Sequence, residues 1–131
     1  MRKILFKGKR IDNGGWIYGS PIFQDGYVLI RFWNSEEFEF EEHLIAPESV
    51  SEYTGLTDKN GTKIFEGDVI LYPWSDQDKP QRFTIKFKDG QFVASPVKET
   101  EDYWDFMVGG YSKEMEVIDN IHDNPELLKG E

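Results

Sequence analysis

Apolar and polar side chains alternate one for one along much of this chain, and glycine-containing turn pairs break the alternation at short intervals. In "RFTIKFK", Phe83, Ile85 and Phe87 fall on one face of an extended segment and Thr84 and Lys86 on the other, as a half-buried antiparallel strand requires. The same period of two, or a short β-branched and aromatic run, marks "KILFKGKRI", "GWIYGSPIF", "YVLIRFW", "EEFEFEEHLI", "KIFEGDVILY" and "QFVAS" as strands. Asn13-Gly14, Asp25-Gly26, Asn60-Gly61 and Asp89-Gly90 are pairs that tolerate the positive φ of a tight primed hairpin turn, and the ends of "FKDGQF" are expected to pair across the last of them. No apolar stripe of helical period lasts beyond two turns. The pattern predicts a mostly β chain whose antiparallel hairpins form a small barrel-like structure.

Helix signals are few. "DNPELL" predicts a short C-terminal helix, with Asn124 as cap, Pro125 at the first helical position and Glu126 favouring the positive end of the dipole. "PESVSEYTG" is a second helical candidate, with Pro47 near its start and Gly55 just past its end. "SDQDKPQ", residues 75–81, is polar, holds a proline and predicts an exposed, mobile loop. Residues 1–131 read as one domain, and the stretch 46–54 is where it would divide into an N-terminal sheet and a later small barrel.

A chain of 131 residues buries about two-thirds of its unfolded surface as one domain, so a core forms without staples. The absence of cysteine removes disulfides, thiolate nucleophiles and Cys-based metal sites, and fits a reducing compartment. Apolar runs such as Tyr27 to Ile30 fall far short of the ~20 residues that span a bilayer, and "MRKILFKGKR" carries no long apolar region, so neither membrane insertion nor export is expected. The net charge is −10, distributed as +4 over residues 1–33, −10 over 34–78 and −4 over 79–131. Phosphate-backbone binding needs clustered Lys and Arg, which makes nucleic acid an unfavoured partner; the basic N-terminal lysines read as solvated side chains beside strands.

The candidate chemistry is correspondingly thin. "EEFEFEE" as a strand places Glu37, Glu39 and Glu41 on one face and Glu36, Phe38, Phe40 and Glu42 on the other. That row of acids lacks the converging turn a hard cation needs, and it suits a solvated edge. His43 and His122 have no neighbour at metal-ligand spacing, no serine sits in a nucleophile elbow, and "GKRIDNGG" lacks the ending of a phosphate-binding loop. No catalytic residue, metal ligand or cofactor is therefore assigned. Trp16, Tyr18, Phe32, Trp33, Tyr72 and Trp74 are the aromatics that would stack on bases if the barrel were open, although most aromatics in a small β protein serve the core.

Three blocks, "ILFKGKRIDNGGWIYGS", "IAPESVSEYTGLTDKNGTKIFEGDVI" and "EVIDNIHDNPELL", occur in an order and spacing that resembles the YopX family, with residues 24–44 and 73–112 as variable stretches between them. Asp119 departs from the glycine common before "NIHDNPEL" in that family. The resemblance implies a mostly β, barrel-containing fold and a phage or prophage protein working in the cytoplasm of a bacterial host. It brings no established activity, so no catalytic residue is carried over.

The central block reads as a folding device. It combines a turn at Asn60-Gly61, an inward pair Ile64 and Phe65, a bend at Gly67, Asp68 bonded to local amides, and a buried strand from Val69. Tyr53, Gly55, Leu56, Asn60, Gly61, Gly67 and Asp68 are assigned structural roles, and Thr57, Asp58, Lys59 and Glu66 are the exposed residues left as a contact surface. The leading expectation is a non-enzymatic accessory module that binds a protein partner, with self-association as a variant. The rivals are an acidic mimic of DNA built on Glu36 to Glu52, a nucleic-acid-binding small barrel, and a hydrolase using a carboxylate-bound metal.

Overall fold

The computed structural model describes residues 3–74, 79–98 and 100–129, so residues 75–78 of the predicted loop lie outside the described residues. The chain divides into two compact units, Met1–Tyr53 and Thr54–Glu131. The described strands form two antiparallel sheets, and neither closes into a barrel.

The first unit holds β1 (Phe6–Lys9), β2 (Trp16–Gln24), β3 (Tyr27–Asn34), β4 (Glu39–Ile45) and the beginning of β5 (Ser51–Thr57), in the spatial order β4-β3-β2-β1-β5. Strands β2 and β3 meet through Asp25-Gly26, with Gln24 opposite Tyr27, and β3 and β4 meet with Asn34 opposite Glu39. Paired residues of an antiparallel ladder share a face. Val28, Ile30 and Ile45 therefore fill one face and are buried. The predicted helix over "PESVSEYTG" is instead a single 3-10 turn, Pro47–Ser49, followed directly by β5. Ser49 fixes that exchange, because its hydroxyl accepts the Lys9 amide at 2.8 Å and donates to the Ala46 carbonyl at 2.6 Å. Gly55, placed just past a helix end by the sequence, lies within β5 at φ +87°.

The second unit holds the end of β5, β6 (Lys63–Phe65), β7 (Asp68–Tyr72), β8 (Gln81–Lys88), β9 (Gln91–Pro96), β10 (Phe106–Met107) and β11 (Glu116–Asn120). Its five-stranded sheet runs in the order β10-β9-β8-β7-β11, over a core of Ile64, Ile70, Tyr72, Phe83, Ile85, Ala94, Val108 and Met115. "FKDGQF" pairs as expected, with Phe87 opposite Phe92 and Lys88 opposite Gln91. Among the four turn pairs, only Asp89-Gly90 has positive φ at both residues; the others use it at glycine alone. Phe83 and Ile85 are buried, but Phe87 is exposed because the β8–β9 hairpin continues beyond the core. The predicted C-terminal helix is a 3-10 turn over Pro125–Lys129, too short to satisfy the cost of nucleating an α-helix.

Thr84, predicted to face solvent, is buried, and its hydroxyl is the buried side-chain oxygen without a hydrogen-bond partner among the described residues. An unsatisfied buried hydroxyl costs about 1–3 kcal/mol, and valine has nearly the same shape. Thr84→Val is therefore expected to raise the urea midpoint of unfolding, whereas an unchanged or lower midpoint would mean that the hydroxyl has found a partner.

Candidate functional site

The segment 53–70 folds around two buried carboxylates. Asp58 accepts the amides of Asn60 at 2.8 Å and Thr62 at 2.9 Å through Oδ1, and the amide of Val117 at 2.9 Å through Oδ2. Its side chain joins the turn after β5 to β11, which lies 59 residues further along the chain. Burial alone would raise the Asp58 carboxyl, but the three amides outweigh it and hold the group below its ordinary value. Asp68 is buried too and accepts the Phe65 amide at 2.8 Å, closing the bend at Gly67. Gly67 sits at φ +88°, a conformation that favours glycine, and a Cβ there would lie 2.9 Å from His122 Nε2 and displace the imidazole.

The sequence-based contact surface is accordingly corrected. Asp58 is 1% exposed and faces inward, because its carboxylate replaces water with three backbone amides. Lys59 is exposed, while Thr57 and Glu66 are half-buried, and the Thr57 hydroxyl accepts a hydrogen bond from Lys113. Tyr53, Gly67 and Asp68 are buried, Leu56 packs against the core, and Asn60 and Gly61 form the exposed turn. Thr57, Asp58, Lys59 and Glu66 therefore do not form one exposed patch.

A different surface stands out in the first unit. The pairs Leu29–Leu44, Arg31–Glu42 and Trp33–Phe40 lie on the sheet face opposite Val28, Ile30 and Ile45. Trp33 is 46% exposed, Phe40 56% and Leu44 49%. Trp33 and Phe40 pack edge to face with centroids 4.9 Å apart, and the Arg31 guanidinium lies 4.0 Å from the Phe40 centroid. Arg31 also approaches Glu42 at 3.7 Å. The acidic row is not a strand over residues 36–42, because the turn occupies residues 35–38 and β4 begins at Glu39. Asn34 organises this turn by accepting the amides of Glu36 and Glu37 through its side-chain oxygen. Phe38 at the tip has φ +55° and is 81% exposed, and its ring packs against Trp33 at 5.2 Å. A bulky residue in the left-handed region is uncommon where asparagine or glycine relieves the strain.

The same unit holds His43 and the basic N-terminal segment. His43 stacks on Phe32 at 5.9 Å and bonds to Glu41 at 3.0 Å. Hydrogen bonds from Asn34 and His43 lower the Glu41 carboxyl. Lys7, read from the sequence as solvated, is buried with its ammonium 4.5 Å from the Trp16 centroid. No group of three His, Asp or Glu side chains suited to a metal occurs among the described residues, and no helix among them is long and apolar enough to cross a membrane.

The second unit carries a pocket of about 240 Å³ lined by Tyr72, Trp74, Trp104, Phe106 and Tyr111. Trp74 and Trp104 meet at 89° with centroids 4.8 Å apart, Tyr72 and Tyr111 at 89° and 6.0 Å, and Phe106 and Tyr111 at 85° and 5.4 Å. Burial, together with the negative charge of Glu114, raises the Tyr72 phenol above its ordinary value. Tyr72 and Trp74 are stacking candidates in the sequence, but Trp104, Phe106 and Tyr111 are not, because the segment around them has no strand periodicity.

Comparison with known proteins places this architecture. No functionally curated protein matches the chain. The crystal structure of protein EF1440 from Enterococcus faecalis is similar, with 24% identity, a TM-score of 0.58 and coverage of 98% of this chain and 99% of that one. The crystal structure of protein yopX from Bacillus subtilis is similar at 18% identity, with a TM-score of 0.63 and coverage of 100% of this chain and 99% of that one. These likenesses establish the fold. A model of the YopX protein family matches residues 19–129, which include two of the three sequence blocks in full, and the chain therefore belongs to the YopX protein family.

Proposed function

We propose that this chain is a non-enzymatic binding module of a phage or prophage, acting in the cytoplasm of its bacterial host. It engages a protein partner through the outer face of β2, β3 and β4. The observation that carries the reading is the exposed cluster Arg31, Trp33, Phe38 and Phe40. Tryptophan, tyrosine and arginine are the residue types that dominate binding energy when a partner excludes water from them, and an apolar patch rimmed by charge is a usual mark of an interface. Glu36 and Glu37 in the turn beside Phe38, and Glu42 opposite Arg31, border the cluster, so the complementary partner has an apolar centre and a basic rim.

Phe38 separates binding from folding. Its left-handed backbone is a local cost that asparagine reduces, so Phe38→Asn is expected to stabilise the protein by about 0.5–1 kcal/mol. The same variant is expected to recover less partner when tagged protein is used for affinity capture from host lysate. A variant that is more stable and captures the wild-type set undiminished would count against this surface.

The acidic-mimic reading rests on the wider acidic stretch Glu36 to Glu52. It differs in predicting that binding disappears as salt rises, since it depends on charge without an apolar centre.

A further inference from the structure

We infer that the ring-lined pocket of the second unit binds a small organic ammonium cation, of the choline or tetramethylammonium type. This site is separate from the β2–β4 surface and does not depend on it.

Three features point to that chemistry. The first is ring geometry: Trp74 with Trp104, Tyr72 with Tyr111 and Phe106 with Tyr111 all meet close to perpendicular. Perpendicular neighbours present ring faces in more than one direction, and the face of an aromatic ring carries the negative end of its quadrupole. A cation within about 6 Å of several such centroids is attracted to each, and tryptophan is the strongest of these rings.

The second is charge. The segment 101–114, which supplies Trp104, Phe106 and Tyr111, holds Glu101, Asp102, Asp105 and Glu114 against a single cation of its own, Lys113; Asp105 is paired with Lys88 of β8 at 3.1 Å, which leaves Glu101, Asp102 and Glu114 as the excess. Lys113 donates to the Thr57 hydroxyl. The Glu114 carboxylate is near enough to Tyr72 for its charge to act on the phenol. Acidic surroundings repel a nucleotide or other anion and favour a cation.

The third is size. About 240 Å³ is below the range of roughly 300–1,000 Å³ typical of drug-sized ligand sites, so it fits a compact head group better than a base with its sugar. The occupant to which these features commit the site is a free small ammonium compound.

The test is a titration of the full chain with choline chloride, followed by tryptophan fluorescence at constant ionic strength. Neohexanol, in which a tert-butyl group replaces the trimethylammonium of choline, serves as the neutral isostere. A saturable change with choline, at least about tenfold weaker with neohexanol, is expected. Trp104→Ala is expected to abolish the response while leaving the melting temperature unchanged, because Trp104 is 63% exposed. If that variant fails to fold, Tyr111→Ala, at a residue 44% exposed, provides the same comparison. Equal binding of choline and neohexanol would reduce the site to a plain apolar pocket and overturn the proposal, as would a linear response to choline. Saturable binding of a trimethyl-lysine peptide without binding of free choline would overturn the small-molecule assignment.

Discussion

Replacing Asp58 with alanine is expected to destabilise the second unit by about 3 kcal/mol or more, the largest loss from any single side chain of the central block. The substitution removes the acceptor for the amides of Asn60, Thr62 and Val117 at once and leaves them facing a small cavity. Asp58→Asn is expected to lose less, about 1–2 kcal/mol, since its carbonyl oxygen still serves two amides while its NH₂ opposes the third. The pH dependence has a definite sign. The folded-state carboxyl lies below its ordinary value of 3.8, so its contribution is complete above that value and disappears as the pH falls through the folded-state value. Urea unfolding of the wild type and of Asp58→Asn should therefore differ most near neutral pH and converge in strong acid. A constant difference across that range would show that the charge on Asp58 plays no part.

Gly19→Ala is expected to cost about 2–3 kcal/mol in the first unit, through backbone displacement. Residues Trp16 to Gly19 of β2 pair with β1, and Ser20 to Gln24 pair with β3, so Gly19 is the point where the strand changes partner. A Cβ at that position would lie 2.3 Å from the Arg31 carbonyl oxygen and 3.1 Å from Ile30 Cγ2. The nearer obstacle is backbone of β3 and has no rotamer by which to withdraw. Gly109→Ala is the matched control, because nothing lies within 4 Å of a Cβ there and its φ is not positive. A Gly19 variant as stable as this control would mean that β2 and β3 can separate locally without cost.

The strands were legible because their signal is local. "RFTIKFK" and "FKDGQF" fixed β8, β9 and their turn from period and turn chemistry alone, and the buried pair Ile64 and Phe65 followed from the central block. Asp58 was misread because "TDKNG" has the composition of an exposed turn, whereas its third partner, Val117, is remote in sequence. Such a contact leaves no trace in a local window. The helix expectation at Pro47 failed because only three residues turn before the chain enters β5, and the segment from Pro125 winds as a 3-10 turn instead of an α-helix. The expectation of a small barrel failed because hairpin periodicity specifies ladders without specifying closure.

The candidate surface left one readable signal. "YVLIRFW" is apolar in both phases, with Tyr27, Leu29 and Trp33 alternating against Val28, Ile30 and Phe32. A strand apolar on both sides has a second face to cover. The aromatic pocket left no comparable signal, because Tyr72 and Trp74 meet Trp104 and Tyr111 only after the chain has passed through β8 and β9.

The most direct test of the proposed role is affinity capture from phage-infected lysate, with the tagged wild type and the Trp33→Ser, Phe40→Ser double variant side by side at low and high salt. Both residues are about half exposed, so the variant is expected to retain the wild-type melting temperature. The prediction is a specific protein retained by the wild type at both salt concentrations and absent from the variant. Capture of the same proteins by both forms would contradict a partner surface on β2, β3 and β4.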